Sequence, residues 1–305
     1  MNEQIDLKIG VIGLGSMGLG VAQSLLRNGF DTTGFDISPE SLAKFAEHGG
    51  IPAASPAEAA AGADIVITVV VNGEQTEAVL FADGGAARHM AKGGIILSLA
   101  TMAPPMAERL AEKAEALGLQ YIDAPISGGA HRAAAGELTI MGSGKSEAFS
   151  KVKPVFDAIA AKVYELGTKP GIGSSFKIVN QLLAGVHIAA ACEAITFAKA
   201  LGLDIRKVYE VISASAGNSW MFENRVPHIL DGNYQPHSAV DIFNKDLGIV
   251  SDLGRGIKFP LPIASAALQM FIMTSAAGMG RDDDASVARL IASITGIQLP
   301  EAPEA

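Results

Sequence analysis

"KIGVIGLGSMGLGVAQSLLRNGF", residues 8–30, places a strand, a turn and a helix in one short stretch. Ile9, Val11 and Ile12 form an apolar run of the kind buried in a parallel sheet. Gly13, Gly15 and Gly18 follow in G-x-G-x-x-G spacing, and Val21, Leu25 and Leu26 then recur at helical intervals. Each glycine has a physical reason. Gly13 permits the tight turn, Gly15 lets a pyrophosphate approach the backbone, and Gly18 lets the helix pack closely on the strand. The loop's other members, Leu14, Ser16 and Met17, offer backbone N–H groups near the helix N-terminus, where phosphate is favoured. A second extended run, "TTGFD" at 32–36, ends on Asp36, about 20 residues downstream, where a carboxylate would take ribose hydroxyls. This stretch predicts a dinucleotide-binding βαβ unit.

Asp36 also bears on which dinucleotide. Its charge would repel a 2′-phosphate, and no arginine follows: Ile37, Ser38 and Pro39 come next, and the nearest cation is Lys44. The expected cofactor is NAD rather than NADP.

Outward from this unit, β-like runs alternate with helical patterns: 64–71, 94–99, 120–125, 137–142 and 162–167 read as strands. "SPES" at 38–41 and "SPAE" at 55–58 each supply a Ser N-cap followed by proline at the first helical position. Ser55 with Glu58 adds a capping box, and Gly118 reads as a C-cap glycine. The alternation implies a mostly parallel, doubly wound sheet. After "GTKPGIG" (167–173) only helical periods remain, at about 174–201, 204–215, 218–231, 239–257, 261–278 and 283–296. The expected architecture is α/β: a Rossmann-type domain over 1–170, then an all-helical substrate and oligomerisation domain over 171–305, joined by a long helix.

Composition narrows the partners. A net charge of −9 argues against nucleic acid and anionic membranes, which select basic surfaces. Cys192, the single cysteine, rules out an intrachain disulfide and reads as a small buried hydrophobe. The start, "MNEQIDLK", has no apolar core of a secretory signal, and the apolar run 182–198 falls short of the ~20 residues that span a bilayer. A cytoplasmic enzyme is expected. No metal site is expected either: the six histidines are dispersed, and "RDDD" at 281–284 reads as a solvated helix cap.

Four further stretches could carry chemistry. "LATMAPP" (99–105) suggests Thr101 as an N-cap at the carboxyl edge of the sheet. "DAPISGG" (123–129) offers the Ser127 hydroxyl and the backbone of Gly128 and Gly129, a fit for a carboxylate. "GSSFKIVNQLL" (173–183) reads as a helix for burial through Phe176, Ile178, Val179, Leu182 and Leu183, yet Lys177, Asn180 and Gln181 fall on one face of it. "FNKDLG" (243–248) brings Lys245. A buried ammonium is costly unless paired or used, so the polar stripe points to chemistry.

GLGSMG, DAPISGG, G-x-x-x-K-x-x-N at 173–180 and K-D at 245–246, in this order, resemble the β-hydroxyacid dehydrogenase family. It includes 3-hydroxyisobutyrate, tartronate semialdehyde and L-threonate dehydrogenases, and the resemblance runs from about residue 8 to 299. It implies Lys177 as the catalytic lysine with Asn180 as its neighbour on the substrate. It implies Ser127, Gly128 and Gly129 on the substrate carboxylate, and Thr101, Lys245 and the backbone near Val71 and Asn72 on the cofactor. Burial, with Lys245 nearby, would draw the Lys177 amine down towards working pH. The family also implies a homodimer or homotetramer through the helical domain.

Residues 216–253 and 259–271 are most similar to the sugar-acid branch of that family, which implies L-threonate as substrate, with 3-hydroxyisobutyrate or a small semialdehyde as alternatives. A cofactor-binding protein without catalysis is a further alternative that Lys177 disfavours. Trp220, Asn218 and Phe243 would shape the pocket, although Trp220 alone reads as core. His131 and Arg132 either reach the substrate or lie on the surface, and His187 reads as a hydrogen-bonded core histidine. "ATMAP" stands where many members have "STISP", so Ala100 lacks a hydroxyl.

Overall fold

The computed structural model describes residues 7–302. Two compact units divide the chain, the first ending at Lys177 and the second beginning at Ile178.

The first unit opens with β1 (Lys8–Ile12), α1 (Ser16–Arg27), β2 (Asp31–Phe35), α2 (Pro39–Glu47), β3 (Ile51–Pro52), α3 (Pro56–Ala59), β4 (Ile65–Thr68) and α4 (Gly73–Phe81). It continues through β5 (Ile95–Ser98), α5 (Pro104–Ala116) and β6 (Gln120–Asp123). The six strands are parallel in the order β3-β2-β1-β4-β5-β6. Side chains alternate between two buried faces, as strands with helices on both sides require. Ile9, Val11, Ile65, Ile67 and Leu97 pack with Val21 and Leu25 of α1 on one face. Val66, Ile96 and Tyr121 pack with Leu80 of α4 and Leu110 of α5 on the other. The order reverses between β1 and β4, which opens a crevice at their carboxyl ends, the usual place for a ligand in such a sheet.

The local punctuation works as its chemistry demands. Ser38 and Ser55 accept hydrogen bonds from the N–H groups of Ser41 and Glu58, with Pro39 and Pro56 at the first helical positions. Gly118 takes φ +74 just past α5. Thr101 is no cap, however: α5 starts at Pro104 with Ala103 at its N-cap, because two prolines delay the helix.

After β6 the main sheet stops. Pro125 has no N–H to continue the ladder, so the run read as one strand over 120–125 breaks there. A separate three-stranded sheet follows, with β7 (Ile126–Ser127), α6 (Gly129–Ala135), β8 (Leu138–Gly142), α7 (Ser146–Ile159) and β9 (Ala160–Glu165). In it β7 and β8 are antiparallel and β8 and β9 parallel.

A long helix, α8 (Ile172–Ala200), begins in the first unit and continues through the second, which adds α9 (Ile205–Ser213), α10 (Trp220–Leu230), α11 (Val240–Gly256), α12 (Pro262–Thr274) and α13 (Val287–Thr295). The second core joins Ile188, Cys192 and Ile195 to Phe222, Val226, Phe243, Leu247 and Phe271. Two helical segments, Ile172–Ala200 and Pro262–Met279, are long and apolar enough by length and composition to cross a bilayer. The first is longer than the apolar run 182–198 suggests, and half of its most apolar window is buried within the protein, as in a core helix.

One expectation inverts. Phe176, Val179 and Leu183 are exposed, at 53%, 62% and 50%, whereas Lys177 and Gln181 are buried. Lys177 and Gln181 of the polar stripe lie inside together with Ile178, while Phe176, Val179 and Leu183 lie outside.

Candidate active site

The candidate residues belong to both units: those up to Lys177 to the first, Asn180 and Lys245 to the second. In the first, the glycine turn has the shape a dinucleotide needs. Gly13 takes φ +94, and a Cβ there would lie 2.6 Å from the Val69 carbonyl oxygen. A Cβ on Gly18 would collide with the Gly13 carbonyl oxygen, so the start of α1 lies directly on the strand end. Gly15, the N-cap of α1, is exposed with open space where its Cβ would be, and no side chain caps the first turn. Ser16 and Met17 follow in that turn, exposed and half-buried. This open cradle of N–H groups fits a pyrophosphate.

Asp36 joins the loop directly. Its Oδ2 accepts the Leu14 N–H at 2.6 Å and its Oδ1 the Ser38 N–H at 2.8 Å. A carboxylate has about four lone-pair positions, so acceptor capacity remains for hydroxyls.

Val71 and Asn72 form the start of α4. Asn72 caps it, accepting the Gln75 N–H at 2.8 Å, while Gln75 Oε1 accepts the Val71 N–H at 3.0 Å. Both groups are thus engaged locally, a reciprocal cap the sequence reading passed over. Thr101 is half-buried in the loop between β5 and α5, next to the buried Ala100.

Ser127 ends β7, half-buried, and the chain then turns through Gly128 at φ +140 and Gly129 at φ +77. Both values lie where only glycine is comfortable, which explains the pair. Gly129 is exposed with open space around its missing Cβ. His131 and Arg132 are both exposed.

Lys177 is 6% exposed. Further along α8, in the second unit, Asn180 Nδ2 donates to Gln181 Oε1 at 3.0 Å. Gln181 in turn donates to the buried carboxylate of Asp246, which pairs with Lys245 at 2.9 Å. Asp246, quoted in the sequence but given no role, therefore ties α8 to the lysine of α11. Lys245 is half-buried and its charge is matched.

Several expectations change. Trp220 is 47% exposed, so it is not core. Phe243 is buried in the core of the second unit and stacked on Phe271 at 5.1 Å. Asn218 instead holds the turn before α10, donating to the Ser213 carbonyl and to Glu223. His187 is half-buried and outside the core. Only the first half of "RDDD" is solvated: Arg281 is exposed and Asp282 half-buried, whereas Asp283, which caps the short helix at 284–286, and Asp284 have no exposure. Asp284 accepts from two nitrogens of the Arg225 guanidinium, at 2.5 and 3.0 Å. Cys192 is buried as expected, and burial pushes its thiol well up, so it is inert. Among the described residues no group of three or more His, Cys, Asp or Glu is arranged to hold a metal.

Comparison with known proteins agrees with this layout. Residues 8–167 match the family model of the NAD binding domain of 6-phosphogluconate dehydrogenase. Residues 171–291 match that of the NAD-binding region of NADP-dependent 3-hydroxyisobutyrate dehydrogenase. An L-threonate dehydrogenase of Cupriavidus necator is 56% identical over 96% of this chain and 97% of its own. The L-threonate dehydrogenase of Escherichia coli K12 is 45% identical over 97% of this chain and 98% of its own. A solved structure of 3-hydroxyisobutyrate dehydrogenase from Salmonella typhimurium is 47% identical, covers 93% of this chain and 100% of its own, and superposes with a TM-score of 0.89. With an open glycine cradle, an acidic residue at the end of β2 and a buried lysine early in α8, the chain belongs to the β-hydroxyacid dehydrogenase family, NAD-dependent oxidoreductases that act on a CH–OH group.

Proposed function

We propose that this enzyme oxidises the four-carbon sugar acid L-threonate to its 2-oxo acid. The observation that carries the chemistry is the buried Lys177 in a chain with an NAD-binding domain. The substrate rests on the similarity to the L-threonate dehydrogenases.

NAD supplies the hydride acceptor. Gly13, Leu14, Gly15, Ser16, Met17 and Gly18 would hold its pyrophosphate and Asp36 its ribose, with Val71, Asn72, Thr101 and Lys245 as further contacts. Its 2′-hydroxyl would suit the Asp36 carboxylate, where a 2′-phosphate would be repelled. The Ser127 hydroxyl and the backbone N–H groups of Gly128 and Gly129 would hold the substrate carboxylate. Lys177 would accept the hydroxyl proton as the carbon gives up its hydride, and return it in the reverse direction. Asn180, three residues on, would hold a substrate hydroxyl without adding charge.

Lys177→Ala should lose at least ~10²-fold in turnover while NAD binding, read by fluorescence titration, stays intact. Near-normal turnover would remove Lys177 from the mechanism. Following NAD reduction at 340 nm over L-threonate, D-threonate, 3-hydroxyisobutyrate and tartronate tests the substrate. L-Threonate is expected to give the highest kcat/KM, and 3-hydroxyisobutyrate in first place would favour the second reading, which the Salmonella structure's name supports.

Self-association belongs to the same proposal. Val179, Leu183, Ala190, Ala194 and Phe197 are all exposed on α8, at spacings of three, four and seven that keep them on one side. Such a stripe fits a homodimer or homotetramer built through the helical unit. A cytoplasmic location completes the reading.

A further inference from the structure

Asp123 opens the DAPISGG motif, and the chemistry above leaves it unused. It ends β6 with no solvent exposure. Its carboxylate takes a full set of donors: Oδ2 accepts the N–H groups of Gly171 at 2.9 Å and Ser174 at 2.8 Å and the Ser143 hydroxyl at 3.3 Å, while Oδ1 accepts the Ser174 hydroxyl at 2.7 Å. Ser143 is held in turn. It exchanges both backbone hydrogen bonds with Asp123, at 3.0 and 2.7 Å, and its Oγ accepts the Gly173 N–H at 2.9 Å.

Three of these donors, the N–H groups of Gly171, Gly173 and Ser174, stand at the start of α8. The helix begins at Ile172, and the residue before it, Gly171 at φ +92, has no side chain with which to cap it. The cap comes instead from a strand 48 residues earlier in the chain. Close approach is built in as well, since a Cβ on Gly173 would collide with the carbonyl oxygen of Met141 and lie 2.7 Å from that of Asp123. Burial pushes the Asp123 carboxyl up, against the four donors that pull it down. Lys177 follows Ser174 by three residues, less than one turn along the clamped helix.

We propose that Asp123 is a positioning residue of the reaction: its carboxylate fixes the first turn of α8 and so the direction in which Lys177 presents its amine. The inference rests on the general-base reading of Lys177. Proton transfer needs its partners within hydrogen-bond reach, and a misplacement of about 1 Å can cost ~10²-fold, so a clamp immediately before the lysine has leverage on the rate.

The test compares Asp123→Asn and Ser174→Ala with Lys177→Ala, with turnover expressed per NAD-binding site so that unfolded protein does not count. Asn keeps the size of Asp123 but loses its charge and one acceptor oxygen. Asp123→Asn should lower kcat by about 10-fold or more, leave NAD affinity within about 2-fold, and raise the solvent deuterium isotope effect on kcat as proton transfer becomes limiting. Ser174→Ala should move both readouts the same way by less, and it carries the test should Asp123→Asn not fold. A purely structural cap would lower the melting temperature alone, so unchanged kcat and isotope effect in the folded variants would overturn the proposal. If Lys177→Ala itself turns over normally, the general-base reading is what has failed.

Discussion

Asp36 concentrates the specificity argument in a single side chain. It already accepts two N–H groups, from Leu14 and Ser38, so it is oriented before any cofactor arrives. Ile37, immediately after it, is 91% exposed and offers no charge to a 2′-phosphate. The enzyme should therefore show a higher kcat/KM with NAD than with NADP. Asp36→Ser should raise KM for NAD and narrow that preference, because the repulsion goes together with the hydroxyl contact. Steady-state kinetics with both cofactors decide it, and a wild-type preference for NADP would contradict the role given to Asp36. Lys177 teaches the complementary lesson. Its place on the helix is legible from spacing alone, whereas its burial depends on what surrounds the helix.

The acidic run before α13 shows how an element's environment reverses a sequence reading. Asp283 accepts from His228 Nδ1 at 2.9 Å and from the N–H groups of His237 and Ala285 at 3.0 and 3.1 Å. Burial works against its charge, but the His228 ring and these N–H groups prevail, so its carboxyl lies below the usual range. The unfolded chain then binds the proton more readily. The stabilisation is complete above about pH 4 and is lost as pH falls through the folded value. Asp284 runs the other way: burial pushes it up to about 6 despite Arg225, so its contribution declines as pH rises from about 4 to 6. Arg225 meets the same burial, which Asp284 more than offsets, keeping the guanidinium charged. Asp283→Asn keeps Asp284 in both proteins but removes from beside it a charge that helps push its carboxyl up. The variant's melting temperature should fall clearly below that of the wild type at pH 7, and the gap should shrink as pH drops below about 4. A gap independent of pH would show that Asp283 acts without its charge.

For the molecule as a whole, the telling surface is the apolar side of α8. Large hydrophobics scattered singly on a surface need no explanation, but a stripe of them along one helix does. If that stripe is where copies of the chain meet, Leu183→Glu and Phe197→Glu should each lower the mass seen by light scattering at a given concentration. Helical content should stay as it was, since both side chains already face outward at 50% and 63% exposure. Unchanged mass in both variants would direct the search for an interface elsewhere.

Glycine spacing, Ser-Pro caps and alternating periods were enough to identify the βαβ order, the cofactor loop and the helical second half, because each is set by φ limits and neighbours a few residues away. Burial is not set that way. That Asp123 caps a helix beginning after Gly171, that Asp246 receives Gln181, and that Lys177 is enclosed while Phe176 and Val179 face out all depend on segments distant along the chain. A carboxylate or an amine reads the same in a string of letters whether water or protein surrounds it. Its surroundings exist only once the distant segments have packed.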